Sequence, residues 1–88
     1  MKVYVVSETW VVNGESGNSV RAFKNKKTAE DIFVGKCYEA RIDLKNLSTC
    51  EDDVYTDRKG ITHFSIYEEG MYERTHIDIK FGEIEVEE

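Results

Sequence analysis

The sequence lacks proline altogether, and it has no apolar run near the roughly 18 residues of a membrane-spanning helix. Its turns must therefore rely on glycine, asparagine and aspartate. The apolar stretch at the start ends at Ser7 and Glu8, which is too short for the apolar region of a signal peptide. From this pattern we expect a cytoplasmic protein with no membrane contact.

Cysteine and histidine are both scarce. Cys37 and Cys50 do not have the spacing of metal ligands, and in a cytoplasmic chain we expect both thiols to be reduced. The two histidines, His63 and His76, could join Asp78 in a zinc site. Zinc needs three or four ligands with further support around them, so the favoured prediction is no metal and no cofactor.

Positively charged residues are few in the second part of the chain. Residues 1–50 contain 8 Lys/Arg and 6 Asp/Glu, whereas residues 51–88 contain 4 and 12, which gives the net charge of −6. An acidic half repels phosphate, so the sequence argues against direct binding of nucleic acid. The same charge suits simple solubility, and it also suits a protein partner with a basic surface.

What is present is enough for one small domain, residues 1–88, with a thin core and little room for an enclosed catalytic cavity. Residues 2–12 are rich in β-branched and aromatic side chains at both odd and even positions, so both faces of a strand here would be apolar. This predicts a central strand with Trp10 in the core. A turn over residues 13–19 and a return strand over residues 19–23 would complete a hairpin.

Residues 25–47 have the period of an amphipathic helix, with Ala29, Phe33, Cys37 and Ala40 in its apolar stripe. Two residues, Asn25 and Thr28, are both suitable N-caps, and the sequence leaves the choice open. Beyond residue 41 the pattern also alternates, so residues 42–47 remain either helix or strand. Cys37 lies on the stripe and is expected to be buried.

The rest of the chain is predicted to be strand and turn. Residues 48–53 form a polar connection, residues 54–56 a short strand, and residues 57–60 a turn with glycine at its end. Residues 61–68 and 71–81 then alternate around an acidic turn. With any even-numbered loop the core face comprises Phe64, Ile66, Met71, Ile77, Ile79 and Phe81, although the register stays open between a two-residue and a four-residue loop.

After Phe81 the apolar pattern changes phase. A bulge at Gly82 would turn Ile84 and Val86 back to the core, and the last residues would form an edge strand protected by glutamates. The fold class is therefore predicted to be α+β: a single antiparallel β-sheet with one helix packed on one face, in the order ββαβββ.

The face of the late hairpin opposite this core collects its aromatic and polar residues. Tyrosine and arginine are enriched at protein-binding hot spots, so one interpretation is a partner-binding surface or a homodimer contact. The other interpretation is an ordinary solvated sheet face with cross-strand pairs. The candidate partner-binding residues are His63, Tyr67, Tyr72, Arg74 and His76.

Catalysis is not favoured on this face. A His–Asp pair can act as a general base, and Ser65 would be the nucleophile. However, an open sheet face offers neither a pocket nor oxyanion donors. We therefore predict a non-enzymatic protein that binds another protein, with a small metal- or ligand-binding protein that uses His63, His76 and Asp78 as the alternative.

Several short motifs resemble small uncharacterised αβ proteins of bacteria and their phages. They are the opening VYVV strand, the return strand that ends in Phe23, the segment AFKNKKTAEDIF that leads into the helix, and the acidic C-terminal strand. The resemblance covers roughly residues 2–40 and the end of the chain, and its motifs are structural. It implies an accessory protein, encoded by a phage or mobile element, that acts by binding a host protein.

Overall fold

The computed structural model describes residues 1–12, 15–44, 50–68 and 75–87. One antiparallel sheet has the strand order β2-β1-β5-β4-β3, and one helix packs on it, so the predicted α+β class and ββαβββ order are confirmed. In the described part of the chain no helix is long and apolar enough to cross a membrane. The elements are β1 Lys2–Val12, β2 Glu15–Phe23, α1 Lys26–Leu44, β3 Cys50–Thr56, β4 Thr62–Glu68 and β5 Thr75–Glu85.

The first hairpin is longer than the sequence predicted. β1 is an interior strand, as expected, but β2 begins at Glu15 rather than at residue 19. The prediction of a turn through residues 15–19 is therefore wrong, while residues 13 and 14 lie outside the described residues. Gly17 pairs with Trp10, and the absence of a side chain there leaves space for the indole ring, which extends the ladder.

Helix α1 is capped by Asn25. Its side-chain Oδ1 accepts a hydrogen bond from the Thr28 N–H at 3.1 Å, and its carbonyl accepts one from the Ala29 N–H at 3.2 Å. Lys26 and Lys27, which the first turn disfavours, lie one turn before Glu30 and Asp31 and form i,i+4 ion pairs with them. The helix continues to Leu44, so the ambiguity over residues 42–44 is settled as helix; residues 45–47 lie outside the described residues.

The strand predicted over residues 54–56 begins earlier, at Cys50, so residues 50–53 are not a polar connection. Pairing with β4 extends the strand through this acidic segment, which intrinsic preference alone would leave out. The turn at residues 57–60 is confirmed. Gly60 has φ of 84° and its N–H donates to the Asp57 carbonyl at 3.1 Å.

β5 contradicts both predictions made for the end of the chain. It is the middle strand of the five rather than an edge strand, and no bulge occurs at Gly82, which pairs with Val5 in an unbroken register along β1. Because the ladder keeps its alternation, Ile84 does not turn to the core and remains 51% exposed. An uninterrupted ladder of backbone hydrogen bonds outweighs the burial of one isoleucine.

The core lies between α1 and one face of the sheet. Phe33 of the helix packs against Phe81 of β5, with 5.9 Å between ring centroids, and Trp10 is partly buried against the same cluster. The predicted helix stripe and core face are thus confirmed within the described residues, which do not include Met71. The buried members are Val6, Ala29, Cys37, Ala40, Phe64, Ile66, Ile77 and Ile79.

Candidate functional site

The helix covers one face of the sheet, and no other described element covers the opposite face. Residues alternate between the two faces along every strand, so the neighbours of the buried residues in sequence point away from α1. We call this surface the open face. Its members used below are Val5, Val11, Asn18, Val20, Asp53, Tyr55, Ile61, His63, Ser65, Tyr67, His76, Asp78, Lys80, Gly82 and Ile84.

The hairpin register differs from both registers that the sequence left open. Tyr67 pairs with His76, Ser65 with Asp78, and His63 with Lys80. The parity argument is confirmed, because the paired numbers have an odd sum and the core residues share one face. The connecting residues 69–74 lie outside the described residues, and sequence periodicity of 2 cannot distinguish even-numbered loops from one another.

Three of the five predicted binding residues, His63, Tyr67 and His76, lie together on the open face. Tyr67 and His76 are directly opposite each other, while His63 lies two side-chain rows away, about 13 Å along the strand. The remaining two, Tyr72 and Arg74, lie outside the described residues. The structure therefore brings together a smaller set than the sequence predicted.

His63 belongs to a cluster at the edge formed by β3 and the turn. Its Nε2 donates to Oδ2 of Asp57 at 2.8 Å, and its ring stacks on Tyr55 with 4.7 Å between centroids. Asp57 Oδ1 also accepts hydrogen bonds from the N–H groups of Lys59 and Ile61. The hydrogen bond from His63, followed by the one from Ile61, lowers the pKa of Asp57.

His76 and Asp78 form a second pair on the middle strand. Nε2 of His76 lies 2.9 Å from Oδ2 of Asp78, and the two side chains are 45% and 36% exposed. This pair is next to Tyr67 and Val11, which flank His76 on the neighbouring strands. The two histidines thus have separate carboxylate partners instead of sharing one.

The metal and catalytic alternatives both needed these groups to converge. Within residues 1–12, 15–44, 50–68 and 75–87, no three His, Cys, Asp or Glu side chains are placed so as to hold a metal ion. Ser65 lies opposite Asp78, and the depression near His76 and Asp78 is a solvent-open cleft of about 230 Å³. The described residues thus form no metal site, and the catalytic alternative has only this open cleft.

Sequence reasoning missed an apolar part of the open face. A cleft of about 190 Å³ lies around Gly82, with Val5, Ile61 and Ile84 among its lining residues. Val20 and Tyr55, on the outer strands, are exposed nearby. The alternation of residues 1–12 and the change of phase after Phe81 both indicated these residues, but the assumed bulge at Gly82 assigned Ile84 to the core.

Comparison with known proteins provides no relative for this surface. No family model matches the chain, and neither the curated proteins nor the solved structures searched contain a match.

Proposed function

We propose that this protein is a small non-enzymatic binding protein that contacts another protein through its open face. The observation that supports this most directly is that, among the described elements, the helix covers one face of the five-stranded sheet and nothing covers the other. The other side exposes large apolar side chains, including Val20 at 67%, Tyr55 at 52% and Ile84 at 51%. Exposed apolar patches rimmed by polar residues are typical of protein interaction sites.

The chemistry of the open face suits protein recognition. Tyr55 and Tyr67 supply aromatic area with few rotatable bonds, and His63, His76 and Lys80 supply polar groups beside them. Stacking on His63 fixes the orientation of the Tyr55 ring before any partner arrives. A preorganised side chain loses less conformational entropy on binding.

The charge of the chain bears on the kind of partner. Asp53 and Asp78 are on the open face, and the segment 51–88 that contains them has four Lys/Arg against twelve Asp/Glu. A partner with a basic surface is therefore favoured electrostatically. The resemblance to phage and bacterial accessory proteins would make that partner a protein of the host cell.

Site-specific photo-crosslinking tests the proposed surface. A photoreactive residue at position 67 should form an adduct with the partner in an extract of the encoding cells, whereas one at position 38 should not. Tyr38 is the matched control because it is an exposed tyrosine on α1, away from the open face. Equal adducts from both positions, or none from position 67, would show that the open face is not the contact.

Salt dependence tests the electrostatic part separately. If the partner is basic, its recovery should fall as salt rises from about 0.05 to about 0.5 M, because screening over this range shortens the Debye length to a few ångströms. Recovery that is unchanged by salt would exclude a basic partner, while leaving the photo-crosslinking result for the open face in place.

A further inference from the structure

Lys80 and Asp78 are consecutive open-face residues at the centre of the sheet. They lie on β5, which has two strands on either side, and they pair with His63 and Ser65 on β4. Resting on the open face as the binding surface of the proposed function, but not on a basic host partner, we propose that the protein bound there is a second copy of this chain. The two copies would pack face to face about a two-fold axis that passes between Lys80 and Asp78.

The position of these two charges makes the centre of the face self-complementary. The two-fold axis would lie between the two sheets and run perpendicular to the strands. It would place each row of side chains opposite the row of the other copy that lies at the same distance beyond the axis. Lys80 of each copy then meets Asp78 of the other, which gives two symmetric ion pairs. Packed sheets cross at about 30°, and a rotation of this size displaces the middle strand least, so the central pairs tolerate it.

The rows on either side of the centre would pair apolar and aromatic side chains across the axis. The same axis places Val5 against Val11 of the second copy, and Ile61 against its Tyr67. The first row contains the apolar cleft around Gly82, and the second borders the cleft at His76 and contains Val11, which is 40% exposed. Each copy therefore presents the same two rows to the other, as an isologous interface requires.

The size of the open face is compatible with a dimer. Five strands spaced at about 4.8 Å and four rows of side chains give a face of about 20 by 30 Å, or roughly 600 Å² in projection. A standard interface takes about 800 Å² of accessible surface from each partner, which exceeds the projected area because side chains are corrugated. The whole face, rather than one corner, would have to be buried.

Charge reversal at the two central positions provides the test. Lys80→Asp alone places like charges opposite each other across the axis, and so does Asp78→Lys alone. Each variant should therefore weaken its own dimer by at least about tenfold, since close charge pairs at interfaces couple by more than 1.4 kcal/mol. An equimolar mixture of the two variants restores both pairs, and so does the double variant in one chain.

Sedimentation equilibrium and native mass spectrometry from about 1 to about 200 µM cover the range of a micromolar Kd. We expect a wild-type dimer, weaker dimers of each single variant, and a heterodimer in the mixture. Lys24→Asp has the same charge change at an exposed position between β2 and α1, and it should dimerise like wild type. Circular dichroism melts of every variant separate a lost contact from a lost fold.

A wild-type chain that is monomeric throughout this range overturns the inference, and so does a mixture that forms no heterodimer while both variants are folded. These failures are distinct from failure of the proposed function. A monomer that still forms an adduct through position 67 with a different protein removes the dimer and keeps the binding surface. A monomer that forms no adduct removes both.

Discussion

The ring of His63 lies parallel to that of Tyr55, with 4.7 Å between centroids and 4° between planes. Nε2 of the same imidazole donates to Asp57, whose carboxylate also accepts hydrogen bonds from the N–H groups of Lys59 and Ile61. The residue that orients the open-face tyrosine is therefore fixed by the connection between β3 and β4. Turn stability and surface geometry are coupled at this corner of the sheet.

Asp57→Asn should lower the melting temperature at pH 7. It should also make the melting temperature fall less as the solution is acidified. The pKa of Asp57 is lowered in the folded state, chiefly by His63, so its ionised form contributes stability above the unfolded pKa of about 3.9. That contribution is lost as pH falls through the lower folded pKa. Thermal melts from pH 7 to pH 2 should show wild type and variant converging, with Glu87→Gln as an exposed control. A difference as large at pH 2 as at pH 7 would contradict this.

Gly17→Ala and Gly35→Ala should have opposite effects. A β-carbon at position 17 would lie 2.6 Å from Cε2 of Trp10, and overpacking of this kind costs about 1–3 kcal/mol. At position 35, inside α1, no atom beyond the chain neighbours and the local helix backbone lies within 4 Å of the added carbon, and alanine should stabilise the helix by roughly 0.5–1 kcal/mol. Urea unfolding followed by tryptophan fluorescence measures both. Destabilisation by Gly35→Ala would mean that the helix needs glycine there.

Gly17 also shows which parts of the fold were accessible from sequence. The long periodic segments, residues 2–12 and 26–41, were predicted correctly because their side-chain patterns repeat over many residues, whereas residues 42–44 had been left open. Residues 15–19 and 50–53 were not, because glycine, serine and aspartate have low β-propensity and become strand only through pairing with a neighbour. Tertiary pairing outweighs local preference in both places.

The candidate site was predictable by face but not by register. Alternation assigned His63, Tyr67 and His76 to the surface opposite the core, because a shift of the strand register by one residue would bury charged groups. Their partners depend on the length of the connection, which alternation does not specify. The same limit explains Ile84: its parity indicated the open face, but an isolated apolar residue gave no reason to accept exposure over a bulge.

Cys37 should react slowly with thiol reagents in the folded protein. Burial raises its pKa from the ordinary 9.0 to about 11, so the thiolate fraction near pH 8 falls about 100-fold. A Cys50→Ser chain isolates this thiol, and its reaction with an aromatic disulfide in buffer and in denaturant gives the two rates. Because the folded pKa is raised, stability should also fall as pH rises from about 9 to about 11. Equal rates in the folded and denatured chain would show that the thiol is accessible.

Ile79→Ala and Ile84→Ala test the unbroken register of β5. Ile79 is fully buried under α1, and its truncation should cost about 2–5 kcal/mol, enough to unfold a domain of this size in large part. Ile84 is exposed on the open face, and its truncation should cost under about 1 kcal/mol. Chemical denaturation of the two variants under the same conditions gives the comparison, which should be made at a low protein concentration where any dimer is dissociated. Similar losses from both variants would mean that Ile84 is buried, and the bulge at Gly82 would then have to be restored.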